Sequence, residues 1–196
     1  MASVPFARRR IASHPSEAKR ASSRLASTGE RWSETLDGMT IDEIISFVGG
    51  LDGVLILRPG PGDGSPEIAW GDTFFYYSPS GGVPQRTQPF ATIVTKDYPG
   101  DDESELDGPE AFRVNVAAGK EAFVRWTGHT PRESAANTVP PSASDVVIAH
   151  PVYGSLGWLA VKNPGERTAE TLRELLHNAY QLARSRYERR ASSAES

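Results

Sequence analysis

Cysteine is absent from this chain of 196 residues. Disulfides, thiolate zinc sites, iron–sulfur clusters and a cysteine nucleophile are thereby excluded. The absence suits a reducing compartment, so a cytoplasmic protein is expected. Long apolar runs are also missing. Stretches such as Val54-Leu55-Ile56-Leu57 fall far short of the ~18 residues needed to cross a bilayer. Arg8-Arg9-Arg10 leads into Ile11-Ala12-Ser13-His14-Pro15, which is not the apolar core of a secretory or twin-arginine leader. No membrane association is expected. Methionine is scarce as well, with only Met1 and Met39.

What is present is charge, unevenly spread, and many turn residues. Residues 1–38 hold seven Lys/Arg against four Asp/Glu, residues 39–183 ten against nineteen, and residues 184–196 four against two. The central body is therefore strongly acidic. Such a body repels phosphate backbones, so nucleic acid is not an expected partner. Fifteen prolines and eighteen glycines point to short strands and turns rather than a helical bundle.

Residues 1–38 are rich in Ser, Ala and Arg without an apolar period, and read as a disordered extension or a misassigned upstream start. A folded domain is expected over 39–190, with 191–196 a disordered tail. Thr40 and Glu43 form a T-x-x-E capping box, with Met39 and Ile44 as a hydrophobic staple. Ile41, Ile44, Ile45 and Val48 share a helix face that Gly49-Gly50 ends. Strands are predicted at Val54–Leu57, Ile68–Trp70, Thr73–Tyr77, Phe90–Lys96, Phe112–Val116, Val146–Ile148 and Trp158–Val161. A short helix is predicted over Lys120–Trp126, ending at Gly128. A final helix starts near Thr168, carries the stripe Leu172, Leu175, Leu176, Ala179, Ala183 and Tyr187, and ends near Arg190. Residues 99–110 read as a solvated acidic loop and 130–144 as a long Pro/Ser/Ala-rich loop. The expectation is a single α+β domain, an antiparallel sheet with helices packed on one face.

The most distinctive stretch runs from His150 to Trp158. It mixes an imidazole, a phenol, a hydroxyl, two glycines and an indole. Glycines admit close backbone approach, and histidine moves protons near neutrality. Read without chemistry, it is a loop into a core strand, with His150 bonding backbone. Tyr153-Gly154-Ser155-Leu156-Gly157 departs from the G-x-S-x-G nucleophile elbow at its first position and precedes a strand instead of a helix. Lys96, Arg113 and Asn115 could line a polar patch, or a solvated sheet face. The acidic run Asp101–Asp107 lacks calcium-hand spacing, and the four histidines lack metal-site spacing. No metal and no cofactor is expected. Arg184, Arg186, Arg189 and Arg190 suit a helix C-terminus without invoking nucleic acid.

The block Met39–Ile45, the run Pro89–Gly100, the strand Phe112–Val116, His150–Gly154 with Trp158, and Asn163-Pro164-Gly165 together resemble the bacterial family filed as domain of unknown function 6194. The resemblance covers about residues 39–190 and implies no activity. At the level of fold, the order of elements resembles the MmcQ/YjbR-like shape, which implies binding of DNA by a paired wing. The acidic body departs from that role.

The leading expectation is a small ligand-binding or interaction module. Its cleft would be lined by Trp70, Lys96, Arg113, Asn115, His150 and Tyr153, and a small molecule would be its partner. One alternative is an esterase-like hydrolase with His150 as base and Ser155 or water as nucleophile. The other is nucleic-acid binding through a wing-like surface. Oligomeric state is not legible at this level.

Overall fold

The computed structural model describes residues 38–133 and 139–194. The expectations for residues 1–37, for the middle of the 130–144 loop and for the last two residues lie outside the described residues.

The opening helix, α1 (Ile41–Gly49), begins as its sequence dictates. Thr40 Oγ1 accepts the Glu43 backbone N–H at 3.3 Å, and the Thr40 backbone N–H donates to Glu43 Oε2 at 2.8 Å. Met39, Ile44 and Val48 are buried beneath it. Four strands follow: β1 (Val54–Leu57), β2 (Thr73–Tyr77), β3 (Ala91–Val94) and β4 (Arg113–Val116). Then come α2 (Gly119–Thr127), β5 (Val147–Ala149), β6 (Leu159–Lys162) and α3 (Ala169–Ala194). Gly128 closes α2 with φ 76°, a left-handed conformation that glycine takes without steric cost.

The six strands pair antiparallel in the order β1-β2-β3-β4-β6-β5, and Ser144 adds a single parallel bridge to Lys162. Alternation divides the sheet cleanly. Val54, Ile56, Phe75, Ala91, Ile93, Val114, Val116, Leu159 and Val161 share one face and pack with Leu172, Leu175, Leu176, Ala179 and Tyr180 of α3. The opposite face carries the row Leu57–Phe74–Thr92–Asn115–Ala160–Ile148 and, beside it, Val94–Arg113–Lys162. The α+β single domain with its helices on one face is therefore the observed fold.

Three local expectations are corrected. Ile68–Trp70 is not a strand. Residues Glu67–Ala69 form a 3-10 turn, with Ala69 N–H on Pro66 O at 2.9 Å and Trp70 N–H on Glu67 O at 3.0 Å. Pro66 supplies the extended lead-in, and three residues are too few to hold a ladder against these local bonds. The last helix continues through residues 191–194, beyond the predicted end at Arg190, because Ala191–Ala194 offers no breaker. Trp158 is only half-buried and precedes its strand; Leu159, Ala160 and Val161 are the buried residues there.

The start of α3 is held from a distance. Asp145 Oδ1 accepts the N–H groups of Gly165 (2.7 Å) and Thr168 (3.0 Å) and the Thr168 hydroxyl (2.6 Å), while Oδ2 takes Arg167 N–H and Nε at 3.2 Å each. The predicted N-cap Thr168 thus donates its hydroxyl to this carboxylate. Burial alone would raise the Asp145 pKa, but the bonds from Thr168, Gly165 and Arg167 outweigh it and hold the group at about 2. Asp145→Ala is expected to cost about 1–2 kcal/mol, the usual loss of a helix cap. The contribution is complete above the ordinary carboxylate pKa of 3.8 and is lost as pH falls through 2. Urea midpoints of both proteins at pH 7 and pH 2 check this, since the difference between them should close at the lower pH.

Candidate functional site

The polar groups gather on the helix-free face, under the segment between β3 and β4. Arg113 and Asn115 sit on that face by alternation, and both are buried. A buried guanidinium requires acceptors for its donors. Arg113 Nη1 and Nη2 clamp the two carboxylate oxygens of Asp101 at 2.9 and 2.6 Å. Nη1 also donates to Ser104 Oγ at 2.7 Å, and Nε to Asn115 Oδ1 at 2.8 Å. Asn115 Nδ2 continues the chain to Thr92 Oγ1 at 3.0 Å.

The solvated acidic loop expected at 99–110 is corrected in part: Asp102, Glu103, Glu105, Asp107 and Glu110 are exposed, but Asp101 is not left to solvent. It folds down over the sheet, turning Asp101 onto Arg113 and burying Ser104 and Leu106. Asp97 pins the fold by accepting Leu106 N–H at 2.9 Å, and the Tyr98–Asp101 turn closes it. The solvated sheet face read for Arg113 and Asn115 fails for the same reason.

His150 lies against this cluster with its side chain almost fully buried. Its Nδ1 accepts the backbone N–H groups of Val152 (3.1 Å) and Tyr153 (3.2 Å). Nε2 lies 3.3 Å from Arg113 Nη2 and 3.9 Å from Asp101 Oδ2. Two donors on Nδ1 against one beside Nε2 place the ring proton on Nε2. Burial, then the positive Arg113, lower the pKa to about 3, against the opposing pull of Asp101. The ring is thus neutral at physiological pH. It meets two amides and a guanidinium, with the Asp101 carboxylate beyond hydrogen-bond range. The hydroxyl or carboxylate that a general base needs at about 3 Å is not at either nitrogen. Ser155 stands exposed on the 3-10 turn Gly154–Leu156.

A pH dependence follows. The unfolded histidine takes up a proton below 6.5, whereas the folded one resists until about 3. Stability is therefore full above 6.5 and declines by roughly 1.4 kcal/mol per pH unit below it. Between pH 7 and pH 5 the loss should be about 2 kcal/mol by urea titration. In His150→Gln that part of the slope should vanish.

Two more of the predicted site residues form a second group. Trp70 and Lys96 meet through the Lys96 ammonium, which donates to the Trp70 carbonyl and lies 3.8 Å from Asp72. Asp72 is buried, accepts Thr95 N–H at 2.9 Å, and receives the Tyr98 hydroxyl. Burial and then the Asp72 carboxylate raise the Tyr98 pKa far above its ordinary value. The indole Nε1 of Trp70 is buried without a hydrogen-bond partner. The Tyr98–Asp101 turn links the two groups. Asp72, Thr92, Tyr98, Asp101 and Ser104 are the members missed from the sequence. The signal available was the coincidence of a strand arginine with an acidic segment just before it.

The segment from His150 turns its apolar side chains outward. Val152, Tyr153 and Leu156 are 42%, 48% and 66% exposed. The Tyr153 ring rests 4.9 Å from the His150 ring and 6.4 Å from that of Trp158. Gly157, at φ 82°, ends the turn and returns the chain to β6.

Among the described residues no group of three or more His, Asp or Glu could hold a metal ion, and no helix is long and apolar enough to cross a membrane. No curated protein and no solved structure matches the chain. The family of unknown function DUF6194 matches residues 39–192, which span the sheet, the helices and the buried polar cluster. The chain belongs to that family.

Proposed function

We propose that the domain is a non-catalytic interaction module whose contact element is the turn from Val152 to Leu156. The observation that carries this reading is where the chemistry is spent. Arg113, Asn115 and the Nδ1 of His150 are engaged by protein partners on the helix-free face. A small ligand at the cleft expected from the sequence would have to break those bonds and leave buried groups unpaired. The same segment exposes three large apolar side chains within five residues. Exposed aromatic and aliphatic side chains on a turn rigidly anchored from beneath suit an apolar groove on a protein partner. The two amides held by His150 Nδ1 keep the turn in one conformation, which lowers the ordering cost of binding.

A photoreactive amino acid at position 156, in cells that express the protein, tests the reading. A covalent adduct with one discrete protein is expected at position 156 and not at exposed Glu103. Leu156→Glu should keep the melting temperature within about 1 °C, as exposed substitutions do, and a photoreactive group at position 153 in that variant should give no adduct. Equal labelling at 156 and 103, or none at either, would remove the proposal.

A further inference from the structure

We propose that the closing stretch of α3 holds a compact, highly charged anion, a soluble polyphosphate, on Arg186, Arg189 and Arg190. Cations suit the C-terminal end of a helix, but α3 runs on to Ala194 and its last turn holds no basic residue. Arg186 lies two turns short of that end, about 12 Å along the axis, and the dipole effect fades within one turn. No acidic residue stands three or four places from Arg186, Arg189 or Arg190. The three stand instead at i, i+3 and i+4 to one another, a spacing at which like charges destabilise a helix.

Glu188, the acid within this stretch, pairs with Arg184 at 2.8 Å. The guanidiniums of Arg186 and Arg189 have no hydrogen bond or ion pair among the described residues. Arg190 Nη1 donates to Thr87 Oγ1 at 3.0 Å, which holds that side chain against the loop between β2 and β3. Exposed Arg86 precedes Thr87 in the chain. Arg186, Arg189, Arg190 and Ser193 line one recess. Three guanidiniums around one recess call for several negative charges in a small volume. A carboxylate supplies one charge, whereas a chain of two or three phosphates supplies several, on oxygens that accept guanidinium forks. The anion is also short. Residues 39–183 carry ten Lys/Arg against nineteen Asp/Glu, so a long polyanion or an anionic bilayer laid across the domain meets repulsion. Salt screens charges beyond about 8 Å, so an anion no larger than the recess feels mainly the arginines.

Tripolyphosphate titrated calorimetrically into the full chain, in about 0.15 M NaCl, tests this. One saturable site is expected, with Kd below about 1 mM. Arg186→Gln/Arg189→Gln should weaken it at least about tenfold, and should melt within about 1 °C of the parent because both residues are exposed. Arg125→Gln/Arg173→Gln, at two other exposed arginines, should leave Kd within about twofold. ATP binding at least about tenfold more tightly than tripolyphosphate would make a nucleotide the source of the phosphates, and weaker or similar binding a free polyphosphate; either result supports the site. No binding up to about 10 mM tripolyphosphate, a loss no greater for the 186/189 pair than for the 125/173 pair, or tighter binding of single-stranded RNA or phosphatidylserine vesicles would each overturn the proposal.

Discussion

Arg113→Met is expected to destabilise the domain by about 3–5 kcal/mol, the usual effect of removing one partner from a buried charge network. The side chain is 2% exposed and serves four acceptors on two segments, the 97–110 loop and β4. Its loss strands the Asp101 carboxylate and Ser104 beneath the 97–110 loop, and leaves Asn115 Oδ1 without its donor. The penalty comes mainly from those orphaned groups, so Arg113→Met/Asp101→Leu should recover part of it. Asp101→Asn alone should cost less, since the amide oxygen still accepts one guanidinium N–H. Urea unfolding followed by far-ultraviolet circular dichroism measures all three. A loss below about 1 kcal/mol for Arg113→Met would mean that the network adds nothing beyond solvated alternatives.

Phe75→Ala should cost a similar amount, about 3–5 kcal/mol, for a different reason. Phe75 is fully buried at the centre of β2, with its ring centroid 6.3 Å from that of Phe90, which in turn meets Tyr180 of α3 at 6.2 Å. Truncation opens a cavity between the sheet and the long helix, where a rigid backbone cannot collapse to fill it. Because sheet and helices share one core, the variant should still unfold in a single transition by circular dichroism and by tryptophan fluorescence. Separate transitions would show that β2 and α3 belong to different cooperative units.

Much of this fold was legible because its signals are local. The capping box at Thr40 and Glu43 needs four residues, and the alternation Phe112-Arg113-Val114-Asn115-Val116 needs five. The stripe on α3 succeeded over Leu172, Leu175, Leu176 and Ala179, all buried, whereas Tyr187 is 40% exposed because the helix has by then run past most of the core. The helix-free face was harder. Alternation put Arg113 and Asn115 on one side, but it does not say whether that side is wet. The answer depends on residues 97–110, whose acidity reads as solvation. Asp101 is held by an arginine twelve residues on, and buried Asp72 is paired with Lys96 and Tyr98 more than twenty residues away. No periodicity records such pairings. His150 was singled out for its chemistry, and the plainer alternative, a ring bonding backbone, describes its Nδ1.

The account turns on His150 being a neutral structural ring rather than a proton carrier. Long-range nitrogen–proton correlation spectra of the imidazole across pH test this most directly. The expected result is a ring protonated on Nε2 that shows no titration between pH 7 and about pH 4, with the Val152 and Tyr153 amides shifted by their bonds to Nδ1. A midpoint near the ordinary histidine value of 6.5, or a proton on Nδ1, would contradict it.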